Sequence, residues 1–418
     1  MDYFSYRKNE LYAEDAPVAA IAKTAGTPFY CYSARTIRGH FGKLRSAFAE
    51  MDALIAYSIK ANSTLAILKL LEAEGAGFDV TSGGELYRAL KVGADPKKIV
   101  YAGVGKTAEE IREALNAGIG LFNAESAAEL ERIEKLAAET GKKASASIRI
   151  NPDVDAHTHK HITTGKKENK FGIDMETARS LYKKYRSSKH LTLSAVHIHI
   201  GSQITQVEPY EAALKQIAAF VLELRGAGCE INAINTGGGF GIFYRGDEAK
   251  TAEDFARTIV PILKPLKCRL ILEPGRFIVG NAGILVAEVQ YVKKTPTKTF
   301  VIVDTGMQHL IRPMLYDAYH RVWPVHAPFL ENEKGATASV DVVGPICEST
   351  DVLAKERPLP ALKQGDLVAI FSAGAYGFAM ASNYNSHPRP AEILVDGKQF
   401  RVIRARESYD DLVRGEKI

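Results

Sequence analysis

Short apolar runs of strand length alternate along the first two thirds of the chain with stretches whose apolar residues recur every three or four positions. The runs fall at 54–59, 77–80, 99–102, 120–123, 144–150, 193–200, 231–235 and 269–273. Between them lie helical patterns, such as 63–74 with Leu65, Leu68 and Leu71 on one face, and 124–140 with Leu130, Ile133 and Leu136. Strand alternating with helix eight times predicts a parallel (β/α)8 barrel, and an open doubly wound sheet is the alternative that periodicity leaves standing. After Arg276 the texture changes. Apolar runs at 284–293, 299–304, 338–343, 367–371 and 400–404 come with few helical patterns and predict a second, mostly β domain. A β-prone stretch at 28–32 is a candidate to pack with that domain, so the expected division is a barrel over 33–276 and a β domain of 1–32 plus 277–418.

Composition narrows the class. At 418 residues the chain exceeds the roughly 250 to 300 at which one core stops growing, in keeping with two domains. The 54 basic and 49 acidic side chains are interspersed, which does not call for nucleic acid. Cys31, Cys229, Cys268 and Cys347 lie far apart without metal-type spacing, as suits a reducing compartment, and the cytoplasm is the expected location. Residues 1–15 lack the basic-then-apolar order of a signal peptide, and no apolar stretch approaches the roughly 18 residues of a spanning helix, so no membrane association is expected.

Nearly every predicted strand ends in a polar, glycine or ionisable residue: Lys60, Asp79 with Ser82, Gly103, Asn123, Arg149 with Asn151, His199 with Ser202, the run Gly237-Gly238-Gly239, and Glu273 with Arg276. Singly, each has an ordinary structural reason, since glycines turn chains, Asn and Ser cap helices, and a lysine can end a strand at the surface. A barrel gathers all of them at one mouth, where they describe a polar pocket. The glycine run offers free backbone amides to a phosphate but lacks the Lys-Ser/Thr ending of a nucleotide-binding loop, so neither ATP nor NAD is well supported. One phosphate, one reactive lysine (Lys60) and one carboxylate (Glu273) that would keep a pyridine nitrogen protonated together point to pyridoxal 5'-phosphate. His199 is a candidate to lie flat on its ring and Ser202 to donate to its phosphate. His157, His159 and His161 alternate, but no carboxylate or cysteine partner has suggestive spacing, so no metal is expected, and the polar stretch through Lys167 reads as lid material.

Six segments occur in an order that resembles the fold-type III pyridoxal-phosphate decarboxylases: Tyr57-Ser58-Ile59-Lys60-Ala61-Asn62, His199-Ile200-Gly201-Ser202, the Gly237 run, Glu273-Pro274-Gly275-Arg276-Phe277, Cys347-Glu348-Ser349 and Gly374-Ala375-Tyr376-Gly377. The resemblance extends from Tyr3 to about Glu392. It implies an alanine-racemase-type barrel with a β domain and a homodimer with shared active sites. It also implies catalytic roles for Lys60 as Schiff-base lysine, His199 over the ring, and Cys347 as proton donor reaching from the second subunit. Asp79, His199, Ser202, Gly238, Gly239, Glu273, Arg276 and Tyr376 would surround the cofactor. Glu348 would take the substrate's distal amino group, while Arg276, Arg312, Tyr316 and Tyr376 would hold or adjoin its distal carboxylate. The guanidinium in Ile311-Arg312-Pro313-Met314-Leu315-Tyr316 suits a substrate with a second carboxylate. The implied reaction is decarboxylation of meso-2,6-diaminopimelate to L-lysine; ornithine, arginine or a carboxylated polyamine is the alternative substrate. Thr350 departs from the pattern, where a small residue such as glycine is expected.

Overall fold

Among the described residues, eight parallel strands form one closed sheet: β1 (Ala53–Ser58), β2 (Gly77–Val80), β3 (Ile99–Tyr101), β4 (Leu121–Ala124), β5 (Ala144–Arg149), β6 (Leu191–His197), β7 (Ala233–Asn235) and β8 (Arg269–Leu272). Strand β8 returns to β1 with Leu270 opposite Ala53, Ile271 opposite Leu54 and Leu272 opposite Ile55. This closure removes the open-sheet alternative. The structure is a computed structural model that describes residues 3–152, 170–245, 249–330 and 333–418. The histidine-rich segment through Lys167, read above as lid material, lies outside the described residues. Contacts divide the chain into two units, one of His40–Ile242 with Glu248–Phe277, the other of Met1–Gly39 with Phe243–Asp247 and Ile278–Ile418.

The two-residue period of a strand builds the barrel interior in layers. Leu54, Ala56, Val100, Leu121, Ala195 and Ile271 pack together with Ala233 as an apolar plug. Two residues further along the same strands the inward positions turn polar, giving Ser58, Asn123, His197, Asn235 and Glu273. All are buried. The helices that follow start at side-chain caps: Ser82 accepts from the Glu85 amide before Gly83–Lys91, and Ser126 from that of Glu129 before Ala127–Glu139. Thr107 and Glu110 form a reciprocal capping box before Ala108–Ala117. Ser82, a candidate site residue by position, is therefore engaged as a cap.

The second unit is built on a nine-stranded sheet whose main path runs Val352–Leu359, Ala338–Val343, Thr299–Val303, Gly283–Lys294, Phe29–Ser33, Ala391–Asp396 and Gln399–Arg404. The N-terminal strand Phe29–Ser33 lies inside that sheet, antiparallel to Gly283–Lys294 and parallel to Ala391–Asp396. All five of its residues are buried, which is why its sequence, Phe-Tyr-Cys-Tyr-Ser, shows no polar alternation. Its two tyrosine hydroxyls find partners inside: Tyr30 donates to the His309 carbonyl at 2.6 Å and Tyr32 to Glu392 Oε1 at 2.7 Å.

Past the strand ends of the barrel the backbone is woven so closely that side chains have no room. A Cβ on Gly238 would lie 2.0 Å from the Glu273 carbonyl oxygen, and one on Gly239, whose φ is +104°, 2.2 Å from that of Gly201. Gly238→Ala is therefore expected to lower the unfolding free energy by about 1–3 kcal/mol, the usual range for overpacking. The check is the denaturant midpoint of purified protein; an unchanged midpoint would mean the two segments are not in this contact.

Candidate active site

Lys60 occupies the single turn Ile59–Ala61 immediately after β1, so its side chain starts at the rim of the barrel. Nζ donates to Asp79 Oδ2 at 2.9 Å, with the lysine side chain 39% exposed and the aspartate fully buried. Ser58 Oγ bridges the layer, 2.6 Å from Asp79 Oδ2 and 3.0 Å from the Glu273 carbonyl oxygen. Burial and the nearby charge of Glu273 push the Asp79 carboxyl up to about 7, against the opposing pull of Lys60.

Beside this pair, the Glu273 carboxylate follows β8 and is gripped through one oxygen. Asn123 Nδ2 donates to Oε1 at 2.9 Å and Asn235 Nδ2 at 2.6 Å. The two amides are themselves oriented, because Ser147 Oγ donates to Asn123 Oδ1 at 2.7 Å and the Gly237 amide to Asn235 Oδ1 at 2.9 Å. Oε2 faces His197 Nε2 at 3.6 Å. Burial alone would raise this carboxyl, but His197, Lys60 and Asn235 outweigh it and hold the group well below the usual carboxylate range. The result is a buried carboxylate with one oxygen saturated and the other turned toward His197.

His199 lies just beyond β6. Its Nδ1 accepts from the Gly238 amide at 3.2 Å, which leaves the ring proton on Nε2. Burial, then the charges of Arg149 and Lys60, push this imidazole well below its usual range, so it is a neutral ring. Arg276 Nη2 donates to Ser202 Oγ at 3.2 Å, which keeps the serine hydroxyl proton available to an acceptor. These residues fit pyridoxal phosphate. Glu273 Oε2 suits a ring N–H, His199 is an uncharged flat surface, Lys60 carries the amine, and Asp79 Oδ1 is a buried acceptor without a hydrogen-bond partner among the described residues. The barrel unit brings together Lys60, Asp79, His199, Ser202, Gly238, Gly239, Glu273 and Arg276.

The second unit holds the remaining candidates, two pairs and Tyr376. Arg312 and Tyr316 share the short helix Arg312–Tyr316. Arg312 is buried, its guanidinium 4.8 Å from the centre of the Tyr244 ring, and Nη1 donates to His320 Nε2 at 2.9 Å. His320 Nδ1 in turn donates to the Phe371 carbonyl at 2.9 Å, which fixes the tautomer that can accept from the arginine. In the other pair, Cys347 is exposed and takes a hydrogen bond from Asn385 Nδ2 at 3.1 Å. Glu348 accepts from the Tyr384 hydroxyl, and from Thr350 Oγ1 at 3.1 Å, so the unexpected threonine serves the glutamate. Buried Asp351 shapes this loop by accepting from the amides of Ile346 at 2.9 Å and Met307 at 2.7 Å. Tyr376 sits in the turn after Leu367–Ile370 with φ of +55°. Sequence reasoning missed Asn123 as a glutamate clamp, and also Asn235, His197, His320, Tyr384 and Asn385; of these only Asn123 stood among the polar strand ends.

Among the described residues no group of three or more His, Cys, Asp or Glu could hold a metal ion, and no helix is long and apolar enough to cross a membrane. Residues 34–280 match the family model for the pyridoxal-binding domain of pyridoxal-dependent decarboxylases. A diaminopimelate decarboxylase of Pseudomonas aeruginosa is 47% identical over 418 residues, covering 100% of this chain and 99% of that protein. The corresponding protein of Aquifex aeolicus is 44% identical, covering 98% of this chain and 96% of its own. Among solved structures, the diaminopimelate decarboxylase of M. jannaschii superposes with a TM-score of 0.94 at 37% identity, over 100% of this chain and 98% of that one. The Helicobacter pylori enzyme complexed with L-lysine gives 0.91 at 42% identity, over 95% and 98%.

His309 anchors the segment that carries Tyr384 and Asn385. Its Nε2 donates to the Pro388 carbonyl at 3.1 Å, and Nδ1 takes the Thr305 hydroxyl at 3.0 Å. Burial pushes this imidazole down to about 4 from 6.5. Above pH 6.5 both folded and unfolded chains carry it neutral. Between about 6.5 and 4 the unfolded chain binds the proton more readily, so stability falls with falling pH, by on the order of 3 kcal/mol in total. Thermal unfolding across this window should show a shallower decline for His309→Gln than for the parent chain; equal slopes would assign the loss to other groups.

Proposed function

The chain belongs to the diaminopimelate decarboxylase family of pyridoxal-dependent decarboxylases, and from that premise we propose that it converts meso-2,6-diaminopimelate to L-lysine and carbon dioxide using the residues described above. The observation that carries the reading is Lys60, paired with Asp79 at the barrel rim, in one unit with a buried Glu273 carboxylate clamped by Asn123 and Asn235.

Pyridoxal phosphate, when bound, supplies a ring that accepts the electron pair left at the substrate's α-carbon as carbon dioxide departs. Lys60 would hold it through Nζ. To act as that anchor the Lys60 ammonium must shed a proton, and Asp79 Oδ2, 2.9 Å away, is placed to take it. Glu273 Oε2 would accept from the ring N–H and so favour the protonated nitrogen. His199 would cover one face of the ring, while Ser202, Gly238, Gly239, Arg276 and Tyr376 would address the phosphate and its surroundings. Cys347 Sγ delivers a proton to the α-carbon, and the Asn385 N–H on the sulfur stabilises the thiolate that remains. Because Cys347 and Glu348 are exposed on their loop, they are assigned to the active site of a second copy in a homodimer. The buried, free Cys31 and Cys268 suit a reducing cytoplasm.

Arg312 favours a substrate that ends in a carboxylate. Its guanidinium is desolvated and oriented by His320, the arrangement in which carboxylate recognition is strongest. Glu348, held by Tyr384 and Thr350, is assigned the distal ammonium, and Tyr316 adjoins the carboxylate. A lysine/ornithine decarboxylase of Vibrio vulnificus superposes with a TM-score of 0.80 at 23% identity, a likeness of fold alone.

Purified protein supplied with pyridoxal phosphate is expected to release carbon dioxide from meso-diaminopimelate and not from lysine, ornithine or arginine. Release only from one of the other amino acids would keep the cofactor and overturn the role of Arg312. Arg312→Ala should weaken meso-diaminopimelate binding by about 2–5 kcal/mol, the range for stripping one partner from a desolvated charge pair. A negligible change would remove that residue from the substrate site. Lys60→Ala should abolish the visible absorption band of the anchored cofactor, and persistence of that band would refute the anchoring.

A further inference from the structure

Outside the residues assigned to cofactor or substrate, one lysine among the described residues of the barrel has almost no exposure. Lys106 lies on the loop between β3 and the helix Ala108–Ala117, its side chain only 1% exposed. All three ammonium protons are used: Nζ donates to the Gly103 carbonyl at 2.8 Å, the Asn123 carbonyl at 2.9 Å and Glu129 Oε1 at 2.6 Å. The first two acceptors belong to the ends of neighbouring strands, just past β3 and within β4. Glu129 sits in the first turn of Ala127–Glu139, and its Oε2 takes the Glu125 amide at 3.0 Å. A buried ion pair is weak evidence of added stability, since desolvation of both charges opposes it. Its physical effect here is to fix the backbone of 123–125, Lys106 through the Asn123 carbonyl and Glu129 through the Glu125 amide.

That backbone carries two consequential side chains. Asn123 donates to Glu273 Oε1 at 2.9 Å. Glu125 accepts from Arg149 Nη1 at 2.8 Å through Oε1, and from the Gly172 amide at 2.9 Å through Oε2. Arg149 Nη2 then donates to the His199 carbonyl at 3.2 Å. One buried pair therefore sets both the carboxylate that meets the ring nitrogen and the backbone of the histidine that covers the ring.

We propose that the Lys106–Glu129 pair is a positioning element of the decarboxylase, which holds the β4 end so that Asn123 keeps Glu273, and Glu125 with Arg149 keeps His199, in their working places. Lys106 touches neither cofactor nor substrate and acts through these side chains. The proposal rests on the pyridoxal phosphate reading given above.

The test loads the full-length protein with pyridoxal phosphate labelled with 15N in the ring and records the nitrogen's chemical shift alongside kcat and KM. In the parent protein the shift should be that of a protonated ring nitrogen, and it should move in Glu273→Gln. If the parent binds no pyridoxal phosphate, or its shift ignores Glu273, the functional reading itself fails. Given that baseline, Lys106→Met should move the shift toward the unprotonated value. It should also lower kcat on the order of 10- to 100-fold with KM changed little, the scale seen when an orienting partner of an active-site ligand is lost. An unchanged shift and kcat in folded Lys106→Met would overturn the proposal. Should that single variant fail to fold, because Glu129 is left as an unpaired buried charge, Lys106→Met with Glu129→Gln removes both charges. The double variant is expected to fold and still show the moved shift and lowered kcat; recovery of both to parent values would refute the clamp.

Discussion

The fold and its chemistry meet in one constraint, the retention of a negative charge on Glu273 inside a barrel. A carboxylate taken out of water is expensive unless its lone pairs are satisfied, and an isolated one would simply bind a proton. Here two amides converge on one oxygen, and both are pinned by further bonds from Ser147 and Gly237. The second oxygen is thereby left as a directed acceptor of low proton affinity. A ring nitrogen placed against it would retain its proton, and with that its pull on electrons. The same charge adds to burial in raising the Asp79 carboxyl above its usual range beside Lys60.

Barrel architecture makes such a cluster affordable. The inward positions below it, Leu54, Ala56, Val100, Leu121, Ala195 and Ile271, fill the lower interior with apolar volume, so the polar layer rests on a packed floor. Two residues separate an apolar position from a polar one on the same strand, as Ile271 and Glu273, Leu121 and Asn123, or Ala195 and His197 illustrate. The glycines past the strand ends serve a complementary purpose. Gly238 and Gly239 admit neighbouring backbone where any side chain would collide, which lets the Gly238 amide reach His199 and set its tautomer.

Much of this was legible in the chain. Eight apolar runs with polar ends foretold the barrel and most residues at its mouth, because strand period and strand end are local properties. The open-sheet alternative survived at that level since closure between β8 and β1 is a non-local pairing that no periodicity records. Strand limits drifted for a similar reason. The run through Ile200 reads as one strand, yet pairing stops at His197, and His199 belongs to the segment beyond it. Val352–Leu359 was missed altogether, since Lys355, Glu356 and Arg357 interrupt its apolar pattern at the margin of the sheet. The clamps on functional groups were least legible. Asn235, Tyr384 and Asn385 are unremarkable in sequence and become significant only through a partner dozens of residues away, as Tyr384 does for Glu348 and Asn385 for Cys347, and His320 only through a turn that brings it to Arg312. Thr350, marked as a departure from the family pattern, proved to donate to the glutamate it follows.

Replacement of Glu273 by glutamine tests the central claim most directly, because it keeps the shape and removes the charge. The measurement is the rate of carbon dioxide release from meso-diaminopimelate by Glu273→Gln with pyridoxal phosphate at saturation. The account predicts that the variant still binds the cofactor and loses rate on the order of 100-fold or more, the scale on which a preorganised charge acts at a reacting centre. A variant that decarboxylates at the parent rate would contradict it.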